Sequence, residues 1–148
     1  MAIVELAPIT ADNWKACINL ELSEAQCGLL PDNLYSIAEA QFYPRSRSRA
    51  ILHQGEVVGY ALFGIDVATG LWKVFRLMID ARFQGKGFGH AAMRMILDEI
   101  ALEPDSTDVL IAYREDNRIA AYLYKKLGFV VTEQRDGHAH ARLFRIRL

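Results

Sequence analysis

The chain is poor in cysteine and in uninterrupted apolar sequence, and each shortage removes a class of protein. Cys17 and Cys27 are the only cysteines among 148 residues. They form no Cys-x-x-Cys pair and are too few for a disulfide framework, so both are expected as reduced structural thiols. No apolar run reaches 18 residues, and Met1-Ala2-Ile3-Val4-Glu5 has neither a basic start nor a long apolar stretch. A membrane span and a secretory leader are therefore not expected, and the sequence reads as a cytoplasmic, soluble protein. Arg45, Arg47 and Arg49 alternate with Ser46 and Ser48 but lack interleaved aromatics. A solvated loop is the expectation there, with no nucleic-acid partner. His138 and His140 lie two apart on an expected strand without a third ligand at a zinc spacing, so no metal is expected.

What the sequence does have is enough apolar side chain, 52% hydrophobic residues, to bury the core of a single domain over residues 1–148. Its net charge of −1 is unevenly spread: residues 1–44 carry six acids against Lys15 alone, net −5, and residues 45–148 carry twelve acids against sixteen Lys or Arg, net +4. A cationic ligand is favoured near the N-terminal third and an anionic one near the glycine run at residues 84–89.

Ile3 to Leu6 reads as a strand, and Thr10 caps a helix reaching about Leu22 with Trp14, Cys17, Ile18 and Leu22 on its apolar stripe. Pro31-Asp32-Asn33 opens a second helix that buries Leu34, Ile37, Ala38 and Phe42 and stops at Pro44. Arg49 to His53 and Glu56 to Ile65 form a hairpin turning at Gln54-Gly55. Thr69-Gly70 then leads into a third strand, Leu71 to Ile79. A helix from Gly87 or Phe88 to about Leu102, a strand from Val109 to Tyr113, a helix from Asn117 to Leu127 stopped by Gly128, and strands at Phe129–Glu133 and Ala141–Leu148 complete the pass. Strands and helices alternate late but not early. That order predicts an α/β chain of the α+β type, with a mixed, mostly antiparallel central sheet flanked by helices.

Between the third strand and the following helix lies Gln84-Gly85-Lys86-Gly87-Phe88-Gly89. Unpaired main-chain N–H groups at a helix start carry about half a positive charge, and glycines let a bulky anion approach them. A diphosphate suits that junction, whereas a P-loop needs Ser or Thr behind Lys86, and a dinucleotide fingerprint has another glycine spacing early in a βαβ unit. A surface loop is the alternative for the run taken alone. On the helix from Asn117, Ile119, Ala120, Leu123 and Leu127 form a core stripe, with Asn117, Ala121 and Tyr124 on a neighbouring one. The second stripe either lines a cleft or pairs an exposed Asn with an interfacial Tyr.

Together these elements resemble the GNAT N-acetyltransferase superfamily. Gln84, Gly87 and Gly89 match its Gln/Arg-x-x-Gly-x-Gly/Ala motif, and the stretch from Asn117 through Tyr124 to Gly128-Phe129 is similar to its second signature, Asn-x-x-Ala-x-x-x-Tyr-x-x-x-Gly-Phe. The stretches Ile9 to Trp14, Tyr35 to Ala40 with Phe42-Tyr43-Pro44, and Arg76 to Asp80 look like those of bacterial spermine/spermidine acetyltransferases. The match is poorer from Ala25 to Leu30, and Arg114 stands where many relatives have Pro. The resemblance implies acetyl-CoA as cosubstrate, a small polyamine as acceptor and a homodimer. It also implies that the main chain of Leu77, Met78 and Ile79 pairs with the pantetheine arm. Amides from Gln84, Gly85, Lys86, Gly87, Phe88, Gly89 and His90 would hold the diphosphate, and Asn117 and Tyr124 would reach the thioester end. Lys86 can add point charge, and Arg82 reads as a surface base.

Acetyl transfer needs a neutral amine, and deprotonating an alkylammonium of pKa about 10.4 at pH 7 costs about 4–5 kcal/mol. Many relatives carry a carboxylate for this on the strand entering the loop, yet Leu71 to Ile79 has none. Glu24, or alternatively Glu39, is the expected base through water, the other route being deprotonation of the amine along a solvent chain, with Glu24, Tyr35 and Glu39 as acceptor-side residues. Trp72 reads as core. Tyr124 is the expected general acid, because a phenol near 10 and a thiol near 8.5 differ by only about 1.5 units. Another amine, such as an aminoglycoside or a peptide N-terminus, and a regulatory module that binds acetyl-CoA without turnover are the competing readings.

Overall fold

Gln54 and Gly55 take φ of 51° and 80°, the sense that lets a two-residue turn follow the twist of its strands. In the computed structural model, which describes residues 3–24, 27–28 and 31–145, this turn sits inside an antiparallel meander. β1 (Glu5–Pro8) is followed by two short helices, α1 (Trp14–Ile18) and α2 (Asn33–Glu39). The chain then forms β2 (Arg47–His53), β3 (Glu56–Ile65) and β4 (Trp72–Ile79), each antiparallel to its predecessor. α3 (Phe88–Ala101) leads to β5 (Val109–Arg114), α4 (Arg118–Lys126) to β6 (Val130–Arg135), and a turn at Asp136-Gly137 to β7 (His138–Leu143). The described strands form one seven-stranded sheet in the order β1-β2-β3-β4-β5-β7-β6. β4 and β5 are its one parallel pair, so the mixed, mostly antiparallel sheet flanked by helices is what the chain forms.

Period-two alternation places a core on each face of the sheet. Ala61 and Phe63 of β3 join Phe88, Met93, Ile96 and Ile100 of α3 and Tyr124 of α4 on one side. Tyr60 and Leu62 join Cys17 of α1, Ala40 and Met78 on the other. Burial raises the Cys17 thiol to about 11 and the Tyr60 phenol to about 12, so both are packing groups rather than nucleophiles.

Several elements differ from expectation. α1 covers only Trp14–Ile18: before it Asn13 folds back, accepting the Thr10 N–H at 2.8 Å and donating to the Pro8 carbonyl at 2.9 Å, and after it the helix ends at Asn19. α2 starts where expected, with the Asp32 carboxylate accepting the Tyr35 N–H at 2.7 Å, but of Leu34, Ile37, Ala38 and Phe42 only Ile37 packs against the core. Asn33 and Ser36 are inside, and Leu34 and Phe42 are 56% and 83% exposed. Asn33 reaches the Cys17 carbonyl and Ser36 the Asp32 carbonyl, so hydrogen bonds satisfy the polar groups that pattern reading assigned to solvent. The last strand begins at His138, not Ala141, and the expected end at Ile146 to Leu148 lies outside the described residues, as do Ala25, Gln26, Leu29 and Leu30 of the poorly matching stretch.

The three alternating arginines are not a solvated loop. Arg47 and Arg49 lie on β2, and with Arg45 they bind Glu99, Glu103 and Asp105 at the end of α3 and beyond it. Arg45 and Arg47 also stand over the buried Trp72 ring, at 4.9 and 5.1 Å from its centroid. This fixes the far end of α3 on the sheet and leaves its near end, at the glycine run, facing the site.

Candidate active site

Strands β4 and β5 are paired at only three positions, Trp72–Val109, Lys73–Leu110 and Val74–Ile111. The pairing stops where the β3–β4 ladder is irregular: Phe63 pairs with Val74 and Leu62 with Arg76, leaving Phe75 as an extra residue. A bulge bends its strand and increases local twist. Past it β4 stays with β3 and β5 stays with β7, and the two parallel strands part. Between them opens a cleft of about 390 Å³, walled by Arg76 to Ile79 on one side and by Tyr113 and α4 on the other, with Gly85, Gly87 and Gly89 also lining it.

A strand that loses its neighbour presents main-chain donors and acceptors, which an extended amide-bearing ligand uses by adding to the sheet. Leu77, Met78 and Ile79 all line that wall. Gly59 of β3 holds it in place: a Cβ there would strike the Met78 carbonyl. The Ile79 carbonyl accepts the Gln84 side-chain amide at 2.9 Å, so Gln84 braces the loop against the strand.

Asp80 opens the turn that follows. Its carboxylate is buried and accepts the Glu21 N–H, the Arg82 N–H and the Arg82 Nε–H, each at 2.9 Å. Burial opposes the charged form, but those N–H groups and the guanidinium outweigh it and hold this carboxyl below the usual range. The exposed Arg82 is therefore a counter-ion and not simply a surface base. The Ala81 N–H also donates to the Glu21 carbonyl at 2.7 Å, tying the acidic N-terminal segment to the approach of the glycine loop.

Gly85 and Gly87 adopt φ of 77° and 83°, a left-handed backbone that favours glycine. No side chain caps α3, and its first turn closes with the Ala91 N–H donating to the Gly87 carbonyl. The amides of Phe88, Gly89 and His90 precede that bond and face out of the helix start. With the Lys86 ammonium 5.8 Å from the Phe83 ring centroid, these amides form a set of main-chain donors of the kind that suits an anion.

Asn117 is buried, and its side-chain oxygen accepts the Ala120 N–H at 3.1 Å as the cap of α4. It also lines the cleft. Tyr124 lines the cleft as its stripe suggested, while Ile119, read as core, is 48% exposed and Ala121 packs against the core. The Tyr124 ring packs against Tyr113 at 5.4 Å and Phe129 at 5.7 Å, and its hydroxyl has no hydrogen-bond partner among the described residues. Burial, and to a lesser degree Tyr113, push its pKa well above the ordinary phenol value. That widens the gap to a free thiol beyond the roughly 1.5 units of the unperturbed groups.

The acceptor-side residues are less gathered. Glu24 and Tyr35 are exposed, and neither lines the cleft. Glu39 does come to it indirectly: its carboxylate accepts from Arg76 at 2.9 Å, and Arg76 lines the cleft while also donating to the Phe75 carbonyl at 2.8 Å. Tyr43 stacks on Phe75 with centroids 4.2 Å apart. Burial and the Glu39 carboxylate raise its phenol. Sequence reading missed Tyr113 and Arg76. Tyr113 was legible as the next member of the inward-facing series Val109, Ile111, whereas nothing in the sequence announced the bulge that turns Arg76 toward α2.

Residues 14–129 match the model of the acetyltransferase (GNAT) family. A spermine/spermidine N(1)-acetyltransferase of Bacillus subtilis is 24% identical over 132 residues, covering 85% of this chain and 87% of that protein. Among solved structures, the spermidine N-acetyltransferase of Vibrio cholerae, in complex with CoA and spermine, superposes with a TM-score of 0.69 at 15% identity, covering 96% of this chain and 95% of that one. The PaiA N-acetyltransferase of Thermoplasma acidophilum, in complex with coenzyme A, gives 0.73 at 11% identity, covering 96% and 99%. With the family model spanning the parted strands, the glycine loop and the Asn117 to Phe129 stretch alike, this chain belongs to the acetyltransferase (GNAT) family.

Proposed function

We propose that the chain transfers the acetyl group of acetyl-CoA to a primary amine of a small polyamine by direct attack, working as a single-domain, cytoplasmic homodimer. The observation that carries the reading is the cleft between β4 and β5. It begins at a loop of main-chain anion donors and reaches an unpartnered phenol, Tyr124. Leu77 and Met78 would bind the pantetheine amides, and residues 84–90 the diphosphate. The acceptor nitrogen forms a bond to the acetyl carbon as the carbon–sulfur bond breaks. The Tyr124 hydroxyl faces the departing sulfur and supplies its proton.

The amine must shed a proton first. Of the two carboxylates considered, Glu39 is the one joined to the cleft wall, through Arg76. It receives the acceptor's proton through water or holds a neighbouring ammonium, while the Arg76 partnership leaves the pair without net charge toward a cationic substrate. The net −5 of residues 1–44 and the polyamine acetyltransferases among the relatives support a polycationic acceptor.

The test is an amine panel with purified protein and acetyl-CoA, reading free thiol. Spermidine and spermine are expected to give the highest kcat/KM. A preference for aminoglycosides or peptide N-termini would change the acceptor, and the absence of thiol release with every amine tested would leave a binding module in place of an enzyme.

A further inference from the structure

Where β4 and β5 part, one row of side chains runs across the opening. Val74–Ile111 is the last β4–β5 pair, so Phe75 and Ala112 come next on either side, and Ala112 is paired with His140 of β7. Phe75 and Ala112 both line the cleft. Antiparallel neighbours hold paired Cα atoms about 4.5–5.5 Å apart, which sets His140 one strand away from the opening.

The face matters as much as the row. Val109, Ile111 and Tyr113 of β5 and Ala139 and Ala141 of β7 belong to the core on the α3 side, so Ala112 and His140 point to the other side of the sheet. Phe75 packs on that other side too, stacked with Tyr43 and next to the Arg76–Glu39 pair. Glu39 and His140 therefore flank the opening on one face, Glu39 on the β4 side and His140 on the β5 side, while α3 and its glycine loop lie on the opposite face.

The His140 carbonyl accepts from the Thr132 hydroxyl, but no hydrogen bond holds its ring among the described residues. His53 and His138, by contrast, each have a ring nitrogen on a main-chain carbonyl. The charged groups around His140 are Lys73 of β4, Arg114 of β5, Glu133 and Arg135 of β6, and His138 and Arg142 of β7. Each arginine binds a carboxylate, whereas Lys73 has no ion-pair partner among the described residues and stands 5.8 Å from the Phe75 ring centroid. Partial burial, followed by Arg135 and Lys73, holds the imidazole below the ordinary histidine value. It is neutral at pH 7 and open to a proton.

We infer that His140 accepts, through water, the proton that the acceptor amine must lose. The inference rests on the acetyl-transfer reading above and divides its acceptor side: Glu39 holds a neighbouring ammonium, and His140 is the base that β4 lacks. Water carries the proton because His140 is beside the cleft lining and not part of it. The ammonium gives up one proton to the imidazole, and the neutral nitrogen bonds to the acetyl carbon as the carbon–sulfur bond breaks. Tyr124 protonates the sulfur and is restored, through water, by the second proton of the new amide nitrogen. The imidazolium then releases its proton to solvent, for which Arg114, Glu133, Arg135 and His138, all exposed, leave this face open. One proton leaves per turnover.

The test is the pH dependence of kcat at saturating spermidine and acetyl-CoA for wild type, His140→Gln, His140→Ala and His138→Gln. Wild-type kcat is expected to fall on the acid side through a single protonation below the ordinary histidine value and to level off above it. His140→Gln should lose about 100-fold at pH 7, the lower end for a general base, and its kcat should climb about ten-fold per pH unit because the ammonium now gives its proton to solvent. Free imidazole should restore His140→Ala in proportion to its concentration, and His138→Gln should keep the wild-type profile. A wild-type kcat that stays flat down to about pH 5 overturns the inference without reference to any variant. So does an unchanged profile in His140→Gln, or a loss equal at every pH that imidazole does not restore. In each of these cases wild-type turnover leaves the acetyl-transfer reading intact, whereas no turnover by wild type with any amine removes both.

Discussion

Tyr113 of β5 and Tyr124 of α4 pack ring to ring, centroids 5.4 Å apart and 39° between planes, both beside the cleft and both without a hydrogen-bond partner for the hydroxyl among the described residues. Burial raises both phenols. Two neutral phenols side by side give the cleft donors that stay protonated through the working range of pH. Tyr124→Phe is expected to lower kcat by about 100-fold, the lower end for loss of a general acid. Its acetyl-CoA affinity should change by about three-fold or less, a fraction of a kcal/mol. Tyr113→Phe should cost about ten-fold at most, because its hydroxyl is the neighbour and not the assigned donor. Steady-state kinetics with calorimetry separates these effects, and unchanged kcat in Tyr124→Phe would remove the phenol from the mechanism. Since Tyr124 titrates above the ordinary phenol value, any fall in kcat below about pH 10 must come from another group.

The anion loop makes a different demand. Gly87 sits at φ 83° as the residue before α3, with no side-chain cap to share its role. An alanine there pays roughly 1–2 kcal/mol for the left-handed backbone. If the loop relaxes to avoid that strain, the amides of residues 88–90 lose their common direction. Gly87→Ala should therefore weaken acetyl-CoA binding about ten-fold or more, a loss of about 1.4 kcal/mol, with amine KM little changed. Retained acetyl-CoA affinity alongside a lowered melting temperature would show that the loop's conformation matters for folding alone.

Asp80 ties stability to pH. Its folded-state pKa is depressed, so its contribution is present in full above the unfolded carboxylate value of about 3.9 and is lost as pH falls through the lower folded value. Asp80→Asn keeps the shape but removes the charge that binds Arg82 and strengthens the bond from the Glu21 N–H. A loss of about 1–3 kcal/mol at pH 7 is expected, the scale of charge-assisted hydrogen bonds at a buried group. Urea unfolding should show the wild-type and variant stabilities converging as pH falls through the depressed folded-state value. A difference independent of pH would mean that the carboxylate's charge is not what holds the segment.

Much of this was legible in the sequence where local chemistry and tertiary packing agree. Gln54-Gly55 turned as read, Asp32 capped α2, Gly87 preceded α3, and Val109 with Ile111 marked the inward face of β5. What was hidden depended on contacts between distant residues. α2 buries Asn33 and Ser36 because the Cys17 carbonyl, sixteen residues back, and the Asp32 carbonyl receive them; a hydrophobic pattern assigns such groups to solvent. Arg47 and Arg49 looked like loop charges because their partners, Glu99 and Glu103, lie some fifty residues on. Glu39 meets the cleft wall through Arg76, past the Phe75 bulge, and a bulge leaves no periodic trace in a single sequence.

The wall of the cleft makes the last prediction. Gly59 faces Ile79 across the β3–β4 ladder, and a Cβ on it would collide with the Met78 carbonyl and come within 2.8 Å of Ile79 Cδ1 and 3.1 Å of Ile51 Cδ1. The carbonyl is main chain, so it yields only if β4 itself moves. Gly59→Ala is expected to destabilise by about 1–3 kcal/mol, the usual cost of overpacking, and to displace the strand proposed to receive the pantetheine arm. Gly64→Ala is the matched control: its Cβ would press on Ser46 Cα at 3.0 Å and the Pro44 carbonyl at 3.1 Å, outside the cleft lining. Both variants should unfold at lower urea. Only Gly59→Ala should lose acetyl-CoA affinity, by about ten-fold, or 1.4 kcal/mol. Equal affinity in the two variants would show that the close approach of β3 to β4 serves stability and not the shape of the binding wall.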